Sequence, residues 1–146
     1  MYPHHKFNQK YSRSPYFTPG ISGIELFADD NSNEPELTTV QERRERGTMT
    51  RKKKPVWSVQ IPVNGRSMVL AGKVLFVAGS PDTVDSKDPL GAIEERCGGK
   101  LWAVSSENGK KLSEYDLKSA PVFDGLIAAQ KKLYIVMQDG TISCWK

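Results

Sequence analysis

The stretch GGKLWAVSSENGKKL, residues 98–112, decides the fold. Its apolar run LWAV at residues 101–104 suits a buried β-strand, because aromatic and β-branched side chains are enriched in strands. The polar turn that follows contains Asn108 and Gly109, and both residue types tolerate the positive φ that short hairpin turns need. The stretch therefore predicts a strand, a tight turn and a second strand that runs in the opposite direction.

Alternation with a period of two residues continues on both sides of this stretch. On the N-terminal side it places Trp57, Val59 and Ile61 on one face of a strand at residues 56–61. Further strands are predicted at residues 68–71, 74–78 and 100–104, with a turn at 62–65, a tight reversal at 72–73 and a loop at 79–96. The same order recurs at residues 112–117, 126–129, 132–136 and 139–145, with a bend at 121–125. The pattern thus predicts two copies of a four-stranded antiparallel unit, the first of which carries an extra loop.

A four-stranded repeat of this length is the unit of a β-propeller blade. Residues 101–110 resemble the pyrroloquinoline-quinone-type (PQQ-like) propeller repeat, in which an Ala and an Asp precede Thr-Gly-Lys and then a docking Trp. Three positions match the repeat: Ala103, Gly109 and Lys110. Three depart from it, where Asp, Thr and Trp are usual: Ser105, Asn108 and Ser113. Trp57 follows Lys54 at the spacing of the docking Trp, although no turn motif precedes it.

The resemblance implies an all-β fold, a partial β-propeller of about two four-stranded antiparallel blades at residues 55–104 and 110–146. Residues 1–54 are expected to form a flexible, charged, poorly ordered N-terminal arm, with a possible remnant strand at 21–28. Eight residues make up the structural repeat motif, and their expected role is packing of the blades: Trp57, Trp102, Ala103, Asn108, Gly109, Lys110, Gly140 and Trp145.

The charge is concentrated ahead of the predicted blades. The formal net charge is +4, and most of the basic excess lies before residue 57. The cluster RKKK at residues 51–54 is typical of a nuclear localisation signal or a phosphate-binding patch, but a solvated linker is the preferred interpretation because no second basic surface accompanies it. Nucleic acid is therefore an improbable partner.

No residue is predicted to be catalytic. Cys97 and Cys144 lack the spacing of a zinc site, and we expect them to be small buried hydrophobic residues. The loop that holds Asp82, Asp85 and Asp88 lacks the framework of a calcium-binding loop and is expected to be solvated. His4 and His5, which lie in the arm, are interpreted as a mobile surface pair. Quinoprotein dehydrogenases that carry this repeat bind PQQ and calcium, but their ligands cannot be placed here, so no cofactor or metal is predicted.

These observations favour a non-catalytic scaffold or protein-interaction module, whose partner is another protein, the remaining propeller blades or a second copy. One alternative is a C-terminal fragment of a PQQ-dependent dehydrogenase whose active centre is absent, and another is weak nucleic-acid binding through the basic linker at residues 43–54. The sequence contains no membrane span and no signal peptide. A complete chain would then be cytoplasmic, whereas the propellers it resembles are often exported to the periplasm or cell surface.

Overall fold

A computed structural model of the chain describes residue 20 and residues 23–33 and 53–146, and these residues form an all-β structure without a helix. The all-β prediction is confirmed. The strands follow one another as β1 (Ile24–Ala28), β2 (Trp57–Ile61), β3 (Val63–Ala71), β4 (Val74–Pro81), β5 (Gly99–Ser105), β6 (Lys111–Leu117), β7 (Pro121–Ala129), β8 (Lys132–Met137) and β9 (Ile142–Trp145). Most of the predicted arm lies outside the described residues, and the short strand expected within residues 21–28 is β1.

The strands form three antiparallel sheets, with the orders β1-β2, β3-β4-β5-β6 and β7-β8-β9. The two four-stranded units of the sequence analysis are therefore replaced by sheets of two, four and three strands. Strand β2 pairs with β1, from Ile24 opposite Ile61 to Ala28 opposite Trp57, and does not join the strands that follow it. Strand β6 closes the four-stranded sheet on β5, with Gly99 opposite Leu117, and does not open the last sheet.

Two segments that were predicted to be a turn and a bend lie inside long strands. Residues 63–65 are the first residues of β3, whose pairing with β4 is irregular between Gly65 and Ser67. Residues 121–125 lie in β7, which is irregular over the same part of its length. Both segments were predicted as turns because they contain Pro and Gly. The same residue types also occur in β-bulges, which bend a strand without ending it. At Gly79 a Cβ would lie 1.8 Å from the Asn64 carbonyl oxygen, so β4 can pass the bulge of β3 only with glycine there.

Two hydrophobic cores lie on opposite faces of the four-stranded sheet. In β4, Val77 belongs to the core shared with β1 and β2, and its neighbour Ala78 belongs to the core shared with the last sheet. In β5 the same alternation separates Trp102 from Leu101. Because both faces of this sheet are covered, β5 is apolar at every position from 101 to 104, which is why its sequence shows no alternation.

The two-residue hairpin turns of the last two sheets differ in chemistry. The β3–β4 turn holds Gly72 at a φ of 62°, which glycine adopts without strain. The β7–β8 turn holds Gln130 and Lys131 at φ angles of 52° and 59°, the pattern of a type I′ turn without its usual glycine. These two turns lie beside each other at one end of the second core.

Candidate functional site

A tryptophan of the first sheet docks on the β5–β6 turn of the second sheet. Trp57, at the start of β2, is 9% exposed, and its indole Nε1 donates a hydrogen bond of 2.8 Å to the backbone carbonyl of Ser106. The amide of Ser106 in turn donates to the Lys73 carbonyl at 2.9 Å, so the same turn is also held to the β3–β4 hairpin. The contact joins β2 to the motif that gave the sequence its resemblance to a propeller repeat.

Gly109 is the residue on which Trp57 packs. Its φ is 70°, and a Cβ at this position would lie 2.5 Å from the Trp57 ring atom Cε3. The turn itself is closed by two local hydrogen bonds, from the Gly109 amide to the Ser105 carbonyl at 2.8 Å and from the Lys110 amide to Asn108 Oδ1 at 3.0 Å. Glycine is therefore required here twice, for the backbone conformation and for the space that the indole occupies.

The other motif residues lie apart from this contact. Ala103 is buried opposite Phe76 and Ser113, and Trp102 is buried in the same core as Trp57. Trp145 packs on the second core, where its ring is edge-on to Tyr115 with 5.0 Å between centroids. Gly140, with a φ of 82°, lies in the exposed β8–β9 turn. Of the motif, the structure thus brings together Trp57 and the turn of Asn108, Gly109 and Lys110. The Ser106 carbonyl is the partner that sequence reasoning missed, because a backbone acceptor leaves no signal in residue identity.

A small charged network lies over the ring of Trp102. Lys111 Nζ lies 4.7 Å from the centroid of the Trp102 ring, and Glu114 accepts hydrogen bonds from Lys100 at 2.7 Å and Lys111 at 2.6 Å. The hydrogen bond from Lys100, followed by that from Lys111, lowers the pKa of Glu114 to about 2. The pKa of Lys100 is raised, first by its hydrogen bond to Asp116 and then by that to Glu114. Trp102 Nε1 is buried and has no acceptor within the described parts of the chain.

The outer face of the last sheet is apolar. Five side chains point away from the second core along β7, β8 and β9: Ile127, Tyr134, Val136, Ile142 and Cys144. Ile127 and Ile142 are 57% and 68% exposed. In register, Ile127 lies opposite Tyr134, which lies opposite Cys144, and Val136 lies opposite Ile142. We call these five residues the open face.

The outer face of the first sheet is mainly polar. It consists of Glu25 and Phe27 from β1 and of Ser58 and Gln60 from β2. The Ser58 hydroxyl donates to the Glu25 carboxylate, and Phe27 is the one large apolar side chain on this face of the described strands. The two ends of the stack therefore differ, since one presents mainly polar groups to solvent and the other presents mainly apolar ones, with Lys132 at the start of β8.

Both cysteines are exposed, so the expectation that they are buried is wrong. Cys97 lies in the loop that precedes β5, and Cys144 lies on the open face of β9. Both cysteines were predicted to be buried from their residue type alone. This prediction fails because the burial of a single residue depends on which side of its strand or loop is covered by other elements.

The three aspartates of the long loop have separate partners. Asp82 accepts from the Gly20 amide at 2.9 Å, Asp85 accepts from the Lys87 amide at 2.8 Å, and Asp88 pairs with Arg96 at 2.6 Å. Among residues 20, 23–33 and 53–146 no group of three or more His, Cys, Asp or Glu side chains is placed to hold a metal ion. His4, His5 and the basic linker up to residue 52 lie outside the described residues.

No known protein family, curated protein or solved structure matches the chain. The resemblance to the PQQ-like repeat accordingly stays a prediction that rests on the sequence. The described segments contain no helix that is long and apolar enough to cross a membrane.

Proposed function

We propose that this chain is a non-catalytic segment of a propeller-like array that acts as a scaffold or protein-interaction module, and that it binds its partner through the open face. The single observation that carries the proposal is the apolar character of this face, with Ile127 and Ile142 each more than half exposed. Contiguous apolar surface on a folded protein marks a site of interaction, because leaving it in water is unfavourable.

The packing of the sheets supports a propeller-like arrangement. The three sheets are stacked in sequence order, each sharing a core with the next. The first strands of the last two sheets, β3 and β7, lie beside each other, and Ser67 Oγ donates to the Val122 carbonyl at 3.4 Å between them. Docking of Trp57 on the turn of the next sheet is the role that the PQQ-like repeat gives its tryptophan. These features support a blade-like stack, in which each sheet buries its neighbour's face.

The difference between the two end faces indicates on which side of the stack the partner binds. Stacked repeats need an outer face that is polar wherever the stack meets solvent. The first sheet meets this requirement with Glu25, Ser58 and Gln60, whereas the last sheet does not. The outer edge of β9 is also unpaired within the described strands, while its counterpart β5 pairs with β6. The partner is therefore expected on the side of β7, β8 and β9.

The proposal is tested by measuring the mass of the purified chain in solution by sedimentation. We expect the native chain to associate with itself beyond its 16.3 kDa monomer, because none of the described residues covers the open face. The double variant Ile127→Lys with Ile142→Lys should sediment as a monomer with an unchanged far-UV circular dichroism spectrum. The matched control is Val84→Lys with Leu90→Lys, which adds the same charge at apolar side chains that are 50% and 54% exposed in the loop. The control should associate as the native chain does. A native chain that stays monomeric at all concentrations, or a control that dissociates equally, would contradict the proposal.

A further inference from the structure

An apolar crevice opens between the tips of two hairpins on neighbouring sheets. Its volume is about 340 Å³, and it lies between the end of the β3–β4 hairpin and the end of the β7–β8 hairpin. Phe76, Ala128 and Leu133, which line it, also belong to the second core or pack against it. The crevice is thus the open end of that core. Its volume lies at the lower end of the range of about 300–1,000 Å³ that is typical of small-molecule sites.

The mouth of the crevice is cationic. Lys131 and Lys132 line it at the β7–β8 turn, together with Gln130. Both lysines are exposed, and neither has an acidic partner within ion-pair distance in the described residues. By contrast, Lys73 of the facing hairpin is paired with Glu107 at 2.7 Å. Two unpaired cations at the rim of an apolar cavity favour a ligand with an anionic head and an apolar body.

The turn that carries these groups is strained. Gln130 and Lys131 both hold positive φ angles, where the facing hairpin uses Gly72. Non-glycine residues keep a positive φ only where the surrounding structure holds them in it. Such residues cluster at binding and functional sites. Replacing the pair by the usual Asn-Gly would remove a lysine from the mouth. The turn therefore has a lysine, Lys131, at a position where its geometry favours glycine.

We propose that this crevice binds a small carboxylate with an apolar chain. A water molecule occupies about 30 Å³, so the cavity has room for about ten non-hydrogen atoms, the size of octanoate. The chain lies against Phe76, Ala128 and Leu133, and the carboxylate lies between Lys131 and Lys132. The apolar lining of the crevice differs from the open face, because Ala128 and Leu133 face the second core whereas Ile127 and Tyr134 face away from it.

The test is a titration of the full chain with octanoate, followed by the amide signals in ¹H–¹⁵N correlation spectra. We expect saturable shifts at Ala71, Val74, Ala128 and Leu133. The neutral analogue octanamide should bind several-fold more weakly. The variant Lys131→Glu with Lys132→Glu should weaken octanoate binding by about tenfold, the loss expected for two exposed charge contacts. Ala128→Leu, which fills the crevice without changing charge, should abolish the shifts.

The charge-matched control is Lys87→Glu with Lys118→Glu, two exposed lysines that do not line the crevice. It should bind octanoate as the native chain does. Equal affinity for octanoate and octanamide would overturn the role of the lysines. Equal weakening by the control would show that only net charge matters, and shifts scattered over other surfaces would show that the crevice is not the site; either result refutes the proposal.

Discussion

The docking of Trp57 on Gly109 can be measured as a free energy of unfolding. In the variant Gly109→Ala a side chain must adopt the left-handed conformation at a φ of 70°, which costs about 1–2 kcal/mol. The new Cβ would lie 2.5 Å from Trp57 Cε3, so the indole must move. Its movement removes the 2.8 Å hydrogen bond to the Ser106 carbonyl, which is worth about 1 kcal/mol, together with part of the packing. We expect a total loss of about 3–4 kcal/mol.

Gly72→Ala is the matched control for this variant. Gly72 has a similar φ of 62°, but a Cβ there would meet no atom within 4 Å. It therefore incurs only the backbone strain of about 1–2 kcal/mol. Urea unfolding followed by far-UV circular dichroism measures both variants, and the difference of about 2 kcal/mol between them is the contribution of the docked indole.

A double-mutant cycle assigns that difference to Trp57. In the background of Trp57→Leu, the cost of Gly109→Ala should fall to the value measured for Gly72→Ala, because the ring atom that it meets is gone. The reasoning is refuted if Gly109→Ala costs no more than Gly72→Ala in the native background. It is refuted equally if the cost of Gly109→Ala is the same with and without the indole.

Three further outcomes follow from the geometry. Trp57→Phe should destabilise the chain by about 1 kcal/mol more than Trp102→Phe in urea unfolding, because only the Trp57 indole N–H has an acceptor to lose; equal costs would contradict this. The lowered pKa of Glu114 means that its ionised form stabilises the fold above about pH 4.5, and that this contribution is lost as the pH falls toward 2. Glu114→Gln should therefore remove about 1 kcal/mol at pH 7, after allowance for solvent screening, and flatten the pH dependence of stability in that window; an unchanged profile would count against the network. Lys131→Gly should raise the free energy of unfolding by about 0.5–1 kcal/mol, because the strain relieved at the positive φ is larger than the cost of the added conformational entropy of the unfolded chain. A lower melting temperature than that of the native chain would show that the turn is not strained.

The hairpin from β5 to β6 was predictable because its signals are local. Residues 98–112 contain an apolar run, a polar turn with Asn108 and Gly109, and the start of a second strand, and the structure has each of them. The same is true of the reversal at residues 72–73, where Gly72 takes the positive φ. Such turns depend on residues that are two to four apart, so their signal can be read within a short window of the sequence.

The grouping of strands into sheets was not predictable in this way. Strand β2 pairs with β1, which joins residues that are about thirty apart in sequence, such as Trp57 and Ala28. The sequence of β2 alone does not indicate which strand it pairs with. Likewise, Val63 looks like part of a turn because Pro62 and Gly65 flank it, yet it is fully buried and pairs with Pro81. The covering of a side chain by a distant strand decides such cases.

The composition of β8 provides an independent argument for a partner on the open face. Strand β2, which is covered on one face, alternates and points Ser58 and Gln60 outward, whereas β5, which is covered on both faces, is apolar from residue 101 to 104. Strand β8 follows the second pattern, because all its residues from 133 to 137 are apolar or aromatic. Only one of its faces is covered within the described structure, and Tyr134 and Val136 point to the other. Burying a large aliphatic side chain yields about 1.5–3 kcal/mol, so a cover over Ile127 and Ile142 alone would contribute several kcal/mol. Strand β8 therefore has the composition of a strand covered on both faces, as β5 does, and this favours a structure in which another surface is packed against it.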